Sequence, residues 1–310
     1  MRHLQNRIAE SGMTLPVAAL LGILVWLMSG LVTKGLWPQL ACFVCTVYLL
    51  VELSNQNALL RVRSRMVSST FILLSCTACF LFSSLMGAIV QLCFVASFLL
   101  LFMTYQDSQA VGRAFYAFVC LGLSSAVFVQ TLWYVPLMWL LMATQLQSLS
   151  WRVWLASLIG LVTPYWFMLL WFIYQQDFTP LELHFAQLVD ISSPVFGLTP
   201  GMIASYALVA VLSAVGIVHF WCFRFDDKIR IRLLYGIFIT LTVFTLTVII
   251  LQPQHYETLM RLCFLFASPL IAHVLTLTNS RLSNILFFVV LFLVFLIISY
   301  NLYFTLPTMD

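Results

Sequence analysis

The chain has 310 residues, of which 63% are hydrophobic and only 8% are charged, and its formal net charge is +4. Soluble domains carry roughly 25% charged residues, so a soluble protein of this length could not cover its surface with so few charges. The composition therefore excludes a soluble enzyme and predicts one integral membrane domain over residues 1–310. Because the basic residues are scattered or lie beside apolar runs, they do not indicate a nucleic-acid partner.

Apolar runs separated by polar breaks recur along the whole chain. A membrane-spanning helix needs about 20 apolar residues, and eleven runs approach or reach that length: 14–32, 37–54, 66–86, 88–105, 113–131, 132–148, 151–174, 201–222, 233–251, 258–278 and 283–304. The predicted fold is all-α, a polytopic bundle of about eleven transmembrane helices. Since the breaks near Gly87 and Gln130 are weak, the third to sixth helices could be fewer, longer or re-entrant, and nine spans is the rival count.

The positions of the basic residues orient this path. With the N-terminus in the cytoplasm, twelve of the fourteen Lys and Arg residues fall on the inner side, and only Lys34 and Arg261 fall on the outer side. Cytoplasmic loops favour Lys and Arg, so the asymmetry predicts an inner N-terminus and an outer C-terminus. Loss of a single span would reverse everything after it and scatter the basic residues over both sides.

Two Cys-x-x-Cys pairs, Cys42 with Cys45 and Cys76 with Cys79, lie at similar depths in the second and third runs. In water-exposed loops such pairs are a strong signal for zinc. Cysteine is also a small apolar residue that suits helix packing, and the flanking residues offer few hydrogen-bond partners to metal ligands. The pattern therefore favours no metal and no cofactor, and it leaves open whether the four sulfurs meet.

Glu52 is the one acidic residue inside an apolar run. A carboxylate at that depth is costly unless it is paired, and ionisable residues within a membrane are functional candidates. Because Arg61, Arg63 and Arg65 follow closely, the favoured interpretation is a structural ion pair with one of them that fixes the turn between two spans.

The longest predicted outer segment covers residues 175–200, between spans seven and eight. Thr179-Pro180-Leu181-Glu182 has capping-box spacing with proline at the first helical position, and Phe185 and Leu188 continue the apolar face of a helix. The segment predicts a short amphipathic helix on the outer surface that ends before Pro194. Its ionisable residues form either a solvated polar face or the rim of a site that opens outward.

Arg261 opposes the charge asymmetry and lies close to His255 and Glu257. One interpretation is an i, i+4 ion pair with Glu257 that stabilises the helix. The other is that Arg261 binds a phosphate or carboxylate in a bidentate manner, with Glu257, His255 or Asp190 as hydrogen-bonding or acid–base partners. These four residues are the predicted substrate-binding set, and no catalytic residue can be assigned.

Two further polar features are present. His273 follows Pro269 further along the run that begins near Arg261, where a kink can open a polar pocket, although a helix–helix hydrogen bond is the favoured role for this histidine. The loop from Arg224 to Arg232 would attract anionic lipid headgroups and is interpreted as an anchor of the topology.

Two stretches of sequence carry a family resemblance. The first is Glu-Leu-Ser-Asn-Gln-Asn-Ala-Leu-Leu-Arg at 52–61, followed by Arg63 and Arg65, and the second is Pro-Leu-Ile-Ala-His at 269–273, followed by Asn279-Ser280-Arg281. In these stretches and in span number the chain resembles an uncharacterised family of bacterial multi-pass inner-membrane proteins. The resemblance implies a location in the bacterial cytoplasmic membrane and implies no particular activity.

The favoured function is a role in envelope biogenesis in which a lipid-linked or anionic substrate binds at the outer face. Nucleotide-binding, serine-hydrolase and zinc-protease motifs are absent from the sequence. No known catalytic motif therefore indicates a reaction, and enzymatic activity is left open. One alternative is a secondary transporter with a midplane site between broken helices. The other is a scaffold that contacts further membrane subunits through small residues of span eight. That stripe comprises Ser205, Ala210, Ser213 and Gly216.

Overall fold

The computed structural model describes residues 4–62, 64–188, 198–278 and 281–305. Over these ranges the chain is all-α with no β-strand, which confirms the predicted fold class. The thirteen described α-helices are α1 (Leu4–Glu10), α2 (Thr14–Met28), α3 (Trp37–Asn57), α4 (Met66–Cys76), α5 (Leu85–Phe102), α6 (Val111–Val127), α7 (Tyr134–Thr144), α8 (Trp151–Gln175), α9 (Thr179–Ala186), α10 (Pro200–Phe223), α11 (Ile229–Leu251), α12 (Tyr256–Leu277) and α13 (Arg281–Thr305).

Each of the eleven apolar runs contains one of these helices. Seven of the described helices, α3, α5, α8, α10, α11, α12 and α13, are long and apolar enough to cross a membrane. The other four runs contain the shorter apolar helices α2, α4, α6 and α7. These helices support a membrane protein, while the count of eleven spans and the orientation remain predictions.

The sequence predicts one integral membrane domain, and within it the helix contacts form two compact units. Unit 1 combines Met1–Ala88 with Pro194–Asp310, and unit 2 is Ile89–Ser193. Helix α5 begins in unit 1 and continues into unit 2.

Helix α12 is the central helix of unit 1. In its most apolar stretch of 18 residues, 94% of the residues are buried, whereas 28–56% are buried in the corresponding stretches of the other six long helices. It packs against α4, α10 and α11. A helix that is apolar all round is expected at the centre of a bundle, and this position brings its polar side chains Arg261 and His273 into the protein interior.

The third apolar run is a broken helix. Helix α4 ends at Cys76, a 3-10 turn covers Cys79–Ser83, and α5 begins at Leu85. Eleven residues of α-helix are about 16 Å long, roughly half of the hydrocarbon thickness. If the run spans the bilayer, the break at Thr77 and Ala78 lies near the midplane.

The small-residue stripe of α10 faces the interior of unit 1. Ser205 and Ser213 are fully buried, and a Cβ atom on Gly216 would lie only 3.1 Å from the carbonyl oxygen of Leu270 in α12. Small residues allow helix backbones to approach in this way. These residues therefore pack α10 inside the unit, and they are not the exposed face that the scaffold hypothesis requires.

Helix α9 confirms a short helix between α8 and α10, whereas its predicted amphipathic character and outer location remain predictions, and its start differs from the predicted one. Thr179 is itself helical, so it cannot act as the N-cap, which has non-helical backbone angles. Instead the Asp177 carboxylate accepts a hydrogen bond from the Thr179 backbone N–H at 3.0 Å. Phe185 stacks on Tyr165 of α8 with ring centroids 5.6 Å apart. Pro194 lies outside the described residues.

Helices α6 and α8 of unit 2 approach each other closely at two glycines. A Cβ atom on Gly122 would lie 2.6 Å from the carbonyl oxygen of Leu161, and one on Gly160 would lie 2.4 Å from that of Phe115. Both distances are below van der Waals contact and both involve backbone atoms. A side chain at either glycine would therefore force the two helices apart.

Replacing Gly160 with alanine is expected to lower the free energy of unfolding by about 2 kcal/mol, because an overpacked interface must shift its backbone. Thermal unfolding of the detergent-solubilised protein measures the effect. Gly112→Ala is the matched control, because nothing lies within 4 Å of a Cβ atom at Gly112 of α6. Equal melting temperatures for the two variants would contradict the close approach of α6 and α8.

Candidate functional site: polar networks and a groove along the central helix

Four ionisable side chains meet at the C-terminal end of α12, and we call them the His273 network: Arg61, His219, Asp227 and His273. They come from the segment after α3, from α10, from the turn between α10 and α11, and from α12. Arg61 Nε donates to Asp227 Oδ1 at 2.6 Å. Asp227 Oδ2 lies 3.2 Å from His273 Nε2, and His273 Nδ1 lies 3.3 Å from His219 Nδ1.

Asp227 is the centre of this network. Its side chain is 1% exposed and that of His273 is 0% exposed, whereas Arg61 is 35% exposed. A buried carboxylate is stable only when it is paired and hydrogen-bonded. Burial alone would raise the pKa of Asp227, but the hydrogen bonds from His273 and Arg61 outweigh it and hold the pKa below its ordinary value of 3.8. The same hydrogen bond raises the pKa of Arg61, so both groups are charged at neutral pH.

If both histidines are neutral, the hydrogen-bond pattern fixes their proton positions. An ionised carboxylate only accepts hydrogen bonds, so neutral His273 carries its proton on Nε2 and presents Nδ1 as an acceptor. The proton between the two rings must then be on Nδ1 of His219. The remaining nitrogen of His219, Nε2, is left as an acceptor on a side chain that is partly exposed.

Aromatic rings and a tyrosine hydroxyl enclose His273. The rings of Phe220 and Tyr235 lie with centroids 5.6 and 4.9 Å from the imidazole. Tyr235 donates its hydroxyl to the carbonyl oxygen of Pro269 at 3.4 Å. Pro269 itself leaves the carbonyl of Leu265 without its helical N–H donor, and Ser268 Oγ donates to that carbonyl at 3.1 Å. The proline therefore leaves no open polar group at this position.

Arg61, one of the three predicted partners of Glu52, instead forms an ion pair with Asp227, which is distant in sequence. The Glu52 carboxylate accepts a hydrogen bond from Gln56 at 2.7 Å, while Arg61 binds Asp227 and approaches Asp226 at 3.6 Å. Glu52 is half-buried and Asp227 is buried, so Asp227 depends more on a cation. Arg63 lies outside the described residues, and Arg65 is exposed.

Arg261 lies near the opposite end of α12 and holds the broken third run. Its guanidinium is buried and Nη2 donates to the carbonyl oxygens of Leu81 and, at 3.3 Å, Ser84. A Cβ atom on Gly87 would lie 2.9 Å from Arg261 Cδ, so the glycine makes room for the side chain. The carbonyls of Leu81 and Ser84 also accept the backbone N–H groups of Ser84 and Ala88, and Arg261 adds a charge-assisted hydrogen bond to each at the end of the 3-10 turn.

The other residues predicted to share a substrate site with Arg261 are placed differently. Glu257 is exposed, and His255 is half-buried with its Nε2 3.4 Å from Gln254 Nε2. Asp190 lies outside the described residues. The substrate-binding role of this set remains a prediction.

At the break itself, the carbonyl oxygen of Thr77 accepts two hydrogen bonds. Asn301 Nδ2 of α13 donates at 2.6 Å and Ser205 Oγ of α10 donates at 3.1 Å. All three residues are buried. The broken helix is therefore held at two points, by Asn301 with Ser205 and by Arg261.

An apolar groove of about 570 Å³ opens on unit 1. It is bordered by α4, by the first halves of α2 and α13, and by the last half of α12. These parts lie at the same end of the helices as the His273 network. Its lining contains only four polar side chains, all of them hydroxyls: Ser11, Thr14, Ser69 and Thr70. The Thr70 hydroxyl is buried and has no hydrogen-bond partner among the described residues. Sequence reasoning missed this groove, because a groove depends on how helices diverge.

The four cysteines of the paired motifs do not share one environment. Cys45 is exposed, Cys42 is half-buried, and Cys76 and Cys79 are buried. Over the described ranges, no three His, Cys, Asp or Glu side chains are placed to hold a metal ion.

No family model, no curated protein and no solved structure matches this chain. Its function is therefore inferred from its own residues.

Proposed function

We propose that this protein is a multi-pass membrane protein of envelope biogenesis that binds an anionic lipid or lipid-linked substrate through the groove of unit 1. The groove is the observation that carries the proposal. Its volume of about 570 Å³ falls within the range of about 300–1,000 Å³ that is typical of ligand sites. Because its walls belong to apolar helices, a molecule that enters it comes from the bilayer.

The polar groups beside the groove fit the head of an acyl lipid. Arg65 is exposed directly before α4 and would attract an anionic headgroup. Thr70 lies five residues further, about 7 Å along the helix axis, and rotation of its side chain would direct the unpartnered hydroxyl to an ester or amide carbonyl. The chain of the lipid would then follow Leu73 and Val294, which line the deeper groove.

This proposal moves the substrate from the outer to the inner side of the predicted topology. The Arg261 guanidinium is engaged with two backbone carbonyls, whereas the groove lies at the end of the helices beside Arg65 and Asp227. The charge asymmetry and the family resemblance support a cytoplasmic orientation of that end in a bacterial inner membrane.

Leu21→Trp is expected to block the groove and to reduce the lipid retained after purification in mild detergent by about tenfold, equivalent to about 1.4 kcal/mol of binding free energy. Native mass spectrometry measures the retained lipid. Leu20→Trp is the matched control, because Leu20 is 63% exposed and does not line the groove. Equal lipid retention in the two variants would contradict the proposal. The mass of the retained molecule distinguishes a lipid-linked substrate from a phospholipid of the bilayer.

A secondary transporter is the second candidate, and the break between the end of α4 and the 3-10 turn favours it. Transporters place polar sites near the midplane at discontinuous helices, and Thr77, Ser205 and Asn301 form a buried polar contact at such a break. A transporter of a polar solute would open at this contact and would not depend on Leu21. The lipid-retention measurement therefore separates the two candidates.

A further inference from the structure

We infer that the His273 network is a proton-exchange site, in which His219 takes up a proton at its partly exposed edge and His273 receives a proton beside Asp227. This inference is independent of the proposed lipid function. The groove is lined by Ile271 and Leu275 of α12, which lie on the other face of the helix from His273, since residues two apart are about 200° apart around a helix axis.

The transfer step follows from the proton positions already assigned. A proton binds to Nε2 of neutral His219 and forms an imidazolium. The proton on Nδ1 of His219 then moves to Nδ1 of His273 across the 3.3 Å contact. His219 is neutral again, now with its proton on Nε2, and His273 is an imidazolium that donates from Nε2 to Asp227. One proton has been taken up, and no other bond is made or broken.

The surrounding charges stabilise the product of this step. Asp227 and Arg61 form a neutral pair before uptake, so the arriving proton adds one positive charge directly next to a carboxylate. An opposite charge within hydrogen-bond distance favours the charged form of a histidine. Asp227 would then lie between two cations, one on each oxygen. Without a carboxylate at this position, a second charge in the interior would be unfavourable.

The other ionisable groups near the network are engaged elsewhere. Asp226 is 64% exposed and touches the network only through Arg61. The guanidinium of Arg224 lies over the ring of Trp221 at 4.6 Å, and Arg230 donates to Asn57 at 2.8 Å. Tyr235 faces His273 with its ring, and its hydroxyl is bound to Pro269. Arg61 also reaches the protein edge, but arginine does not exchange its charge, so the proton path to Asp227 runs through His219 and His273.

A purely structural role would not need His219. Asp227, Arg61 and His273 already join three segments of unit 1, and His273 Nε2 completes the bonds of the carboxylate. The extra contact of two Nδ1 atoms links the buried carboxylate to a side chain at the edge of the protein. Phe223 packs against that side chain with ring centroids 4.7 Å apart and holds the ring in place.

The test is 15N NMR of imidazole nitrogens in the full-length protein in lipid bilayers. The chain has five histidines, and His219→Gln and His273→Gln assign the two signals. At about pH 8 we expect His273 protonated at Nε2 and His219 protonated at Nδ1. On acidification both signals should change in one coupled step, with His273 becoming an imidazolium and His219 changing tautomer.

In Asp227→Asn, His273 should no longer be held in the tautomer protonated at Nε2. In Asp226→Asn, the matched control, that tautomer should be preserved. If Asp227→Asn does not fold, the titration of the wild-type protein alone decides the question. Either of two results would overturn the inference: both rings keeping their tautomers down to the lowest pH at which the protein stays folded, or the His219 signal changing while the His273 signal does not move.

Discussion

Replacing Asp227 with alanine is expected to lower the free energy of unfolding by about 3 kcal/mol. The substitution removes the acceptor of two hydrogen bonds, so the buried Nε2–H of His273 loses its partner and Arg61 loses its counter-ion. The contribution of Arg61 is moderated because its side chain is 35% exposed and solvent screens such charges. Unfolding in mixed detergent micelles measures the difference from the wild-type protein.

The pH dependence of this difference has a defined sign. The pKa of Asp227 is lower in the folded protein than its ordinary value of 3.8, so the stability it contributes is present above that value and is lost as the pH falls through the folded pKa. The difference between wild type and Asp227→Ala should therefore shrink below about pH 4, where Asp227 becomes protonated. Asp226→Ala, at a residue that is 64% exposed, should change stability by less than about 0.5 kcal/mol. A larger effect at Asp226 than at Asp227 would contradict the network.

Replacing Arg261 with leucine is expected to lower the free energy of unfolding by about 4 kcal/mol, because two backbone carbonyls lose a charge-assisted hydrogen bond and the space of the guanidinium is left unfilled. The carbonyls are those of Leu81 and Ser84. Arg261→Lys retains a donor, so its free energy of unfolding should lie between those of the wild-type protein and Arg261→Leu. The melting temperature of the purified protein measures each variant, and Arg65→Leu is the control because Arg65 is exposed.

A different outcome for Arg261 would point to the role predicted from the sequence. If Arg261→Leu melts at the wild-type temperature but loses an anionic ligand, the arginine binds substrate and does not hold the broken helix. If Arg261→Leu melts at a much lower temperature, as we expect, the hydrogen bonds of Arg261 to backbone carbonyls explain why a basic residue lies on the predicted outer side.

The helices could be predicted from the sequence because each apolar run is a local property of the chain. The break after Cys76 could not, because the third run contains no proline and no glycine until Gly87. Its cause is non-local: Asn301 and Ser205 supply donors to the Thr77 carbonyl, which a continuous helix would use itself.

The candidate site could be predicted only in part for the same reason. The sequence identifies His273 and the charged loop that contains Asp227 as separate polar features, and their pairing across 46 residues depends on how α10, α11 and α12 pack. The sequence predicts that Glu52 pairs with Arg61, Arg63 or Arg65, which are close to it, whereas Arg61 binds the more deeply buried Asp227. Local spacing identifies neighbours, whereas burial decides which carboxylate most requires a cation.

Electron cryomicroscopy of the protein in nanodiscs of native lipid tests the proposed function most directly. We expect an elongated density in the groove that passes Leu21, Thr70 and Val294, with its head beside Arg65. A groove closed by contact between α2 and α13, with no density in it, would contradict the claim that this protein binds a lipid from the side.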